Sequence, residues 1–93
     1  MCRNIRVLYN FEPPTTHEEI RAAALQFVRK VSGLNKPPAA DVAAFERAID
    51  EVYEATHRLL HSLSARTTVR TREAEKAKGR ARWAQREQRM RTR

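Results

Sequence analysis

With 93 residues the chain has room for one domain, and a domain of this size buries only about 60% of its unfolded surface, so its core is small and a second subunit is expected to help bury it. A content of 41% hydrophobic and 32% charged residues excludes wholesale disorder, and no run approaches the roughly 20 apolar residues of a membrane span. The formal net charge of +8 sits at one end: residues 1–65 carry eight basic and eight acidic side chains, whereas residues 66–93 carry eleven basic ones against Glu73, Glu75 and Glu87.

The opening Met1-Cys2-Arg3-Asn4-Ile5 leads into no apolar signal core, and one cysteine cannot form an internal disulfide; both point to a reducing, cytoplasmic setting. Ile5, Val7, Tyr9 and Phe11 then alternate with Arg6, Leu8 and Asn10, the period of two of an extended segment with one apolar edge, until Pro13-Pro14 stops it. A lone strand has nothing to pair with, so the segment is expected to lie along the helices as an arm or to pair with a second copy.

Thr16 with Glu19 three residues on is a capping box, in which each side chain satisfies a free backbone N–H of a helix start. Ile20, Ala24, Phe27 and Val31 follow at helical spacing, and Ser32-Gly33 supplies the stop, predicting a helix over Thr16 to Ser32. Asn35-Lys36-Pro37-Pro38 is a short connection, because proline has no N–H and constrains the residue before it. Asp41 is placed to cap a second helix carrying Val42, Phe45, Ile49, Val52, Thr56, Leu59 and Leu63 on one stripe. Two amphipathic helices this close in sequence favour an antiparallel hairpin, with the Phe27 stripe buried against Phe45 and Ile49. After a polar break at Ser64 to Arg72, Ala74, Ala77, Ala81 and Ala84 keep the three-four spacing and predict a third helix from about Thr71 to Gln88, with Trp83 as its one large apolar anchor. The expected architecture is all-α: a neutral helical-hairpin domain over residues 1–65 with an extended N-terminal arm, and a basic C-terminal helix or tail over residues 66–93.

Three stretches carry a family likeness, the Met1-to-Ile5 opening, Asn10-Phe11-Glu12-Pro13-Pro14, and the run from Glu19 to Gly33; it extends through Lys36-Pro37 and Phe45 to Leu60, and more loosely into Glu73 to Arg82. In these the chain resembles the small bacterial proteins grouped as domain-of-unknown-function family 2277. The resemblance implies a compact helical unit and brings no activity, cofactor or catalytic residue with it.

The basic segment is the first feature that could carry chemistry. Its arginines outnumber its lysines nine to two, and a guanidinium pairs with phosphate in a bidentate fork. Arg66, Arg70, Arg72, Lys76, Lys78, Arg80, Arg82, Arg86 and Arg89 are therefore candidates for contacts to nucleic acid or the ribosome, made to the backbone without sequence specificity; an ordinary solvated helix face is the competing reading. With Trp83 as its one aromatic, the segment lacks the interleaved rings of a single-strand stacking platform.

Cys2, exposed as an N-terminal residue if Met1 is removed, is the candidate for a thiol or metal site, although no base, charge stabiliser or further ligand stands near it in sequence. His57 and His61 have the four-residue spacing of paired metal ligands, but the predicted stripe puts both on the outer, solvated face of the second helix. His17 has no stronger claim than its place beside the capping box. No phosphate-cradling glycine loop, HExxH or CxxC pattern is present, and no cofactor is implied. These readings favour a non-enzymatic binding module expected to dimerise, with a Cys2-based site or a purely structural interaction hairpin as alternatives.

Overall fold

A computed structural model of the chain describes residues 4–64 and 68–91. Three helices account for most of them: α1 (His17–Ser32), α2 (Val42–Ser62) and α3 (Arg72–Arg91), with a single 3-10 turn at Ala39–Asp41 ahead of α2. No β-strand occurs among the described residues, and the fold is all-α.

Helix α1 starts and stops where its sequence says it must. The Thr16 hydroxyl accepts from the Glu19 N–H while the Glu19 carboxylate accepts from the Thr16 N–H, so both halves of the capping box are made. Glu18 and Glu19 in the first turn and Arg29 and Lys30 in the last oppose the helix dipole at each end. Gly33 takes the left-handed conformation at φ 73° and donates its N–H to the Arg29 carbonyl at 2.9 Å. A Cβ on Gly33 would meet nothing within 4 Å, so the backbone alone sets the cost of a side chain there. Gly33→Ala is expected to lower stability by about 1 kcal/mol and Gly33→Asn by less, as read from urea unfolding midpoints.

The start of α2 departs from expectation. Asp41 does not cap with its side chain; it ends the 3-10 turn at φ −108°, ψ 1°, away from the extended conformation from which a cap residue reaches the second or third N–H.

Helices α1 and α2 pack antiparallel as a hairpin, and the core lies between them. Ala24, Val28 and Ile49 form its buried centre, flanked by Leu25, Phe45, Ala48, Val52 and Tyr53. The buried line of α1 is thus Ile20, Ala24 and Val28, successive i, i+4 positions, while Phe27, expected inside, is 47% exposed, one helical step to the side. On α2 the interior line shifts in the same way: Leu59 and Leu63 are exposed, and Tyr53, His57 and Leu60 are half-buried in their place. Thr56 stays on the packed side because its hydroxyl donates to the Val52 carbonyl at 2.7 Å. Arg21 and Asp50 link the two helices at the surface at 2.9 Å.

The arm finds its partner in the chain itself. Phe11 and Arg70 form an isolated parallel bridge: the Arg70 N–H donates to the Asn10 carbonyl at 2.8 Å and the Glu12 N–H donates to the Arg70 carbonyl at 2.9 Å. The arm is bent rather than regular, with Asn10 in the left-handed region at φ 62° and the Glu12–Pro13 peptide bond cis. Its predicted apolar edge is consequently inverted: Leu8 is buried, its carbonyl accepting from the Thr15 hydroxyl, while Ile5 and Val7 point outward at 44% and 54% exposure.

Helix α3 packs against neither α1 nor α2 along its length. At 20 residues it spans about 30 Å, and it gives the molecule extents of 51 × 37 × 16 Å. The radius of gyration of 16.7 Å exceeds the roughly 12 Å of a compact chain this long, as a projecting helix requires.

Candidate functional site

The residues that anchor α3 come from its first turn and from the break before it. Arg72 donates through Nε and Nη2 to the two carboxylate oxygens of Glu19, at 3.2 and 2.7 Å, a bidentate fork joining α3 to the first turn of α1. It also donates to the Pro13 and Pro14 carbonyls at 2.8 and 3.3 Å, and its guanidinium carbon lies 5.3 Å from the centre of the Phe11 ring, a cation–π contact. Arg6 reaches the same carboxylate at 3.3 Å. The hydrogen bonds from Arg72, more than any other cause, hold the Glu19 carboxyl at about 2 against its ordinary 4.5, and Glu19 in turn raises Arg72. Arg70 donates to the Tyr9 carbonyl at 2.9 Å and sits 3.3 Å from Glu75.

The nine basic candidates therefore divide. Arg70 and Arg72 are engaged with the body and unavailable to a ligand in full; Arg66 and Cys2 lie outside the described residues. Lys78, Arg82, Arg86 and Arg89 follow one another at spacings of four, four and three and make one basic ridge on α3, with Lys76 and Arg80 on the opposite side of the helix. Lys78 stands 4.0 Å from Glu75, whereas Lys76, Arg80, Arg82 and Arg86 have no acidic partner among the described residues. Every position from Arg80 to Arg91 is exposed. Trp83, 59% exposed, donates its indole N–H to Glu87 at 3.0 Å, a bond within α3 that does not anchor the helix to the body.

Between the arm and the first turns of α3 lies an open cavity of about 410 Å³. Ile5, Val7 and Phe11 make an apolar wall on the arm side, and Arg6, Lys76 and Arg82 surround it with positive charge. Phe11 is the aromatic that the basic segment lacks in sequence; a contact between residues 59 positions apart supplies it.

Of the histidines, His57 is drawn off the solvated face, while His17 and His61 are exposed. His57 is half-buried and stacks between His17 of α1, 5.3 Å away centre to centre, and His61, 4.2 Å away, with Tyr53 at 5.8 Å completing a ladder of rings along the hairpin. The Tyr53 hydroxyl and His17 Nδ1 share a hydrogen bond across the two helices. Because a carbonyl can only accept, His61 Nδ1 carries a proton and donates to the His57 carbonyl at 3.0 Å. Shifting the interior line of α2 is what brings Tyr53 and His57 inward. No group of three or more His, Cys, Asp or Glu residues among the described ones is arranged to hold a metal ion.

Glu19, Arg6 and Phe11 escaped the sequence reading as site residues. Glu19 was legible as a capping residue, and that role occupies one oxygen; nothing local signals that both oxygens also accept from Arg72. Among the described residues no helix is long and apolar enough to cross a membrane. Neither the curated proteins nor the solved structures contain a match to the chain. A family model does match, over the arm, the hairpin and the anchored start of α3: through residues 1–78 the chain belongs to the uncharacterized conserved protein family DUF2277.

Proposed function

We propose that the protein is a non-enzymatic, cytoplasmic binding module whose α3 contacts the phosphate backbone of RNA or DNA, free or in the ribosome, without sequence specificity. One observation carries the reading: α3 stands clear of the folded body with Arg80, Arg82 and Arg86 exposed and without acidic partners among the described residues. A cation already paired within the protein gains little from a phosphate, whereas an open one exchanges a loose counterion for it, so the free energy comes from released salt. The eight basic residues of α3 are opposed by three acidic ones, and Glu73 lies at its anchored end. Backbone contact of this kind carries no base information.

The test is a salt series. Replacing Arg80, Arg86 and Arg89 by Gln touches no residue of the hairpin core, so the fold is retained, and the slope of log affinity against log salt is expected to fall by about 2 to 3 for three lost phosphate contacts. An unchanged slope, with circular dichroism confirming the helices, refutes the reading.

Self-association is the second element of the proposal. An apolar groove of about 230 Å³ runs past Leu8, Ala24, Phe27, Val52 and Leu60, and Phe27 and Val31 remain 47% and 71% exposed beside it, which supports burial against a second copy. Light scattering should give twice the 10.8 kDa chain mass; a mass of one chain at all concentrations counts against it. A thiol or metal site built on Cys2, which lies outside the described residues, is the lesser reading.

A further inference from the structure

We infer that the cavity between the arm and α3 seats one unpaired nucleotide of a strand lying along the basic ridge, so that the protein selects single-stranded over duplex nucleic acid; the inference rests on the backbone-binding role proposed for α3. The basic ridge alone does not discriminate, since both forms present phosphates. The cavity does, because its two sides ask for different chemistry.

One side is apolar and unsatisfied. Ile5 and Val7, turned outward by the bends of the arm, are 44% and 54% exposed beside the half-buried Phe11. A planar base laid against them removes apolar surface from water, which favours binding regardless of base identity. In a duplex the bases are paired and stacked, and only sugar and phosphate reach a recess in a protein surface; an apolar wall there gains nothing.

The other side is cationic. Arg6 holds Glu19 through one nitrogen at 3.3 Å and keeps donors to spare, while Lys76 and Arg82 have no acidic partner among the described residues. Glu75, the acid at this rim, is engaged with Arg70. Phosphates on either side of a seated base therefore meet Arg6 on the arm and Lys76 or Arg82 on α3. The cavity of about 410 Å³ lies in the size range of small-ligand sites and holds one nucleotide rather than several. Lys78, Arg82, Arg86 and Arg89 continue from its edge along the helix, so a strand held at the cavity is led onto the ridge rather than away from it.

The experiment compares a labelled mixed-sequence strand of roughly 16 nucleotides, its duplex, the same strand with abasic positions, and a nucleoside monophosphate, all at one salt concentration. Full-length protein is expected to bind the strand about tenfold more tightly than the duplex or the abasic strand, and the monophosphate at least a hundredfold more weakly than the strand. The double variant Ile5→Ser, Val7→Ser removes the wall without adding charge at two exposed positions, and should bring the strand-to-duplex ratio to about one while leaving duplex binding in place. A ratio of one in the unmodified protein, a ratio untouched by the double variant, or a monophosphate bound as tightly as the strand each overturns the inference. If strand and duplex bind equally and the salt slope still responds to Arg80, Arg86 and Arg89, the backbone-binding role stands and the cavity assignment alone fails. If neither form binds, both fall.

Discussion

Replacing Glu19 by Gln is expected to lower stability near neutral pH by about 1–2 kcal/mol and to remove part of the protein's sensitivity to acid. The arm, α1 and α3 all meet at this carboxylate: it accepts from the Thr16 N–H, from two nitrogens of Arg72 and from Arg6. Gln keeps the shape but turns an amide N–H₂ toward a guanidinium that has only donors, so the fork with Arg72 cannot form. Water reaches the pair, and the magnitude is discounted for that screening.

The pH dependence has a definite sign. In the folded protein Glu19 titrates at about 2, below its ordinary 4.5. The unfolded chain therefore takes up this proton first as the solution is acidified. Glu19 stabilises the fold fully above about pH 4.5, and that contribution is lost as pH falls from there through about 2. Urea unfolding of wild type and Glu19→Gln should show curves that differ at neutral pH and converge near the acid limit; a difference that persists undiminished at low pH contradicts the assignment.

The other large effect is in the core. Ile49 is the one buried residue of α2, and it faces Ala24 and Val28 across the hairpin. Ile49→Ala should cost about 3 kcal/mol, because few side chains surround the site and the cavity cannot be refilled from a second layer. A chain of this size has of order 5–10 kcal/mol in total, so the variant should unfold at markedly lower urea. Phe27→Ala, at a larger but half-exposed residue, should cost less than about 1 kcal/mol. If Phe27→Ala proves the more damaging in the isolated protein at low concentration, the packing described for the hairpin is wrong.

What could be read from the sequence was the part governed by neighbours in the chain. The capping box at Thr16 and Glu19, the left-handed stop at Gly33 and the three-helix order follow from contacts within a turn or two, and each is present. Helical spacing narrowed the buried face of α1 to a stripe but could not choose between Phe27 and Val28, because both lie next to Ala24 on the wheel and only the position of α2 decides. The arm misled more deeply. Its alternation suited a strand, yet the backbone bends at Asn10, so Leu8 goes in while Ile5 and Val7 come out. The division of charge at residue 65 was visible from composition; that Arg70 and Arg72 on its basic side spend their donors on Tyr9, Pro13 and Glu19 was not, since those bonds cross more than 50 residues.

The bridge between Phe11 and Arg70 also orders events in time. Closing a loop of nearly sixty residues in a disordered chain carries a large entropic penalty that one pair of backbone hydrogen bonds cannot offset. Once α1 and α2 have paired, the end of α2 lies back beside the start of α1, and the distance left to close shrinks to a few residues on either side. The hairpin must therefore precede the bridge, and the clasp of residues 70–72 over the arm is the last step of folding, as it is the last of these segments to be synthesised. Destabilising that clasp should speed unfolding and leave the rate of hairpin formation almost unchanged.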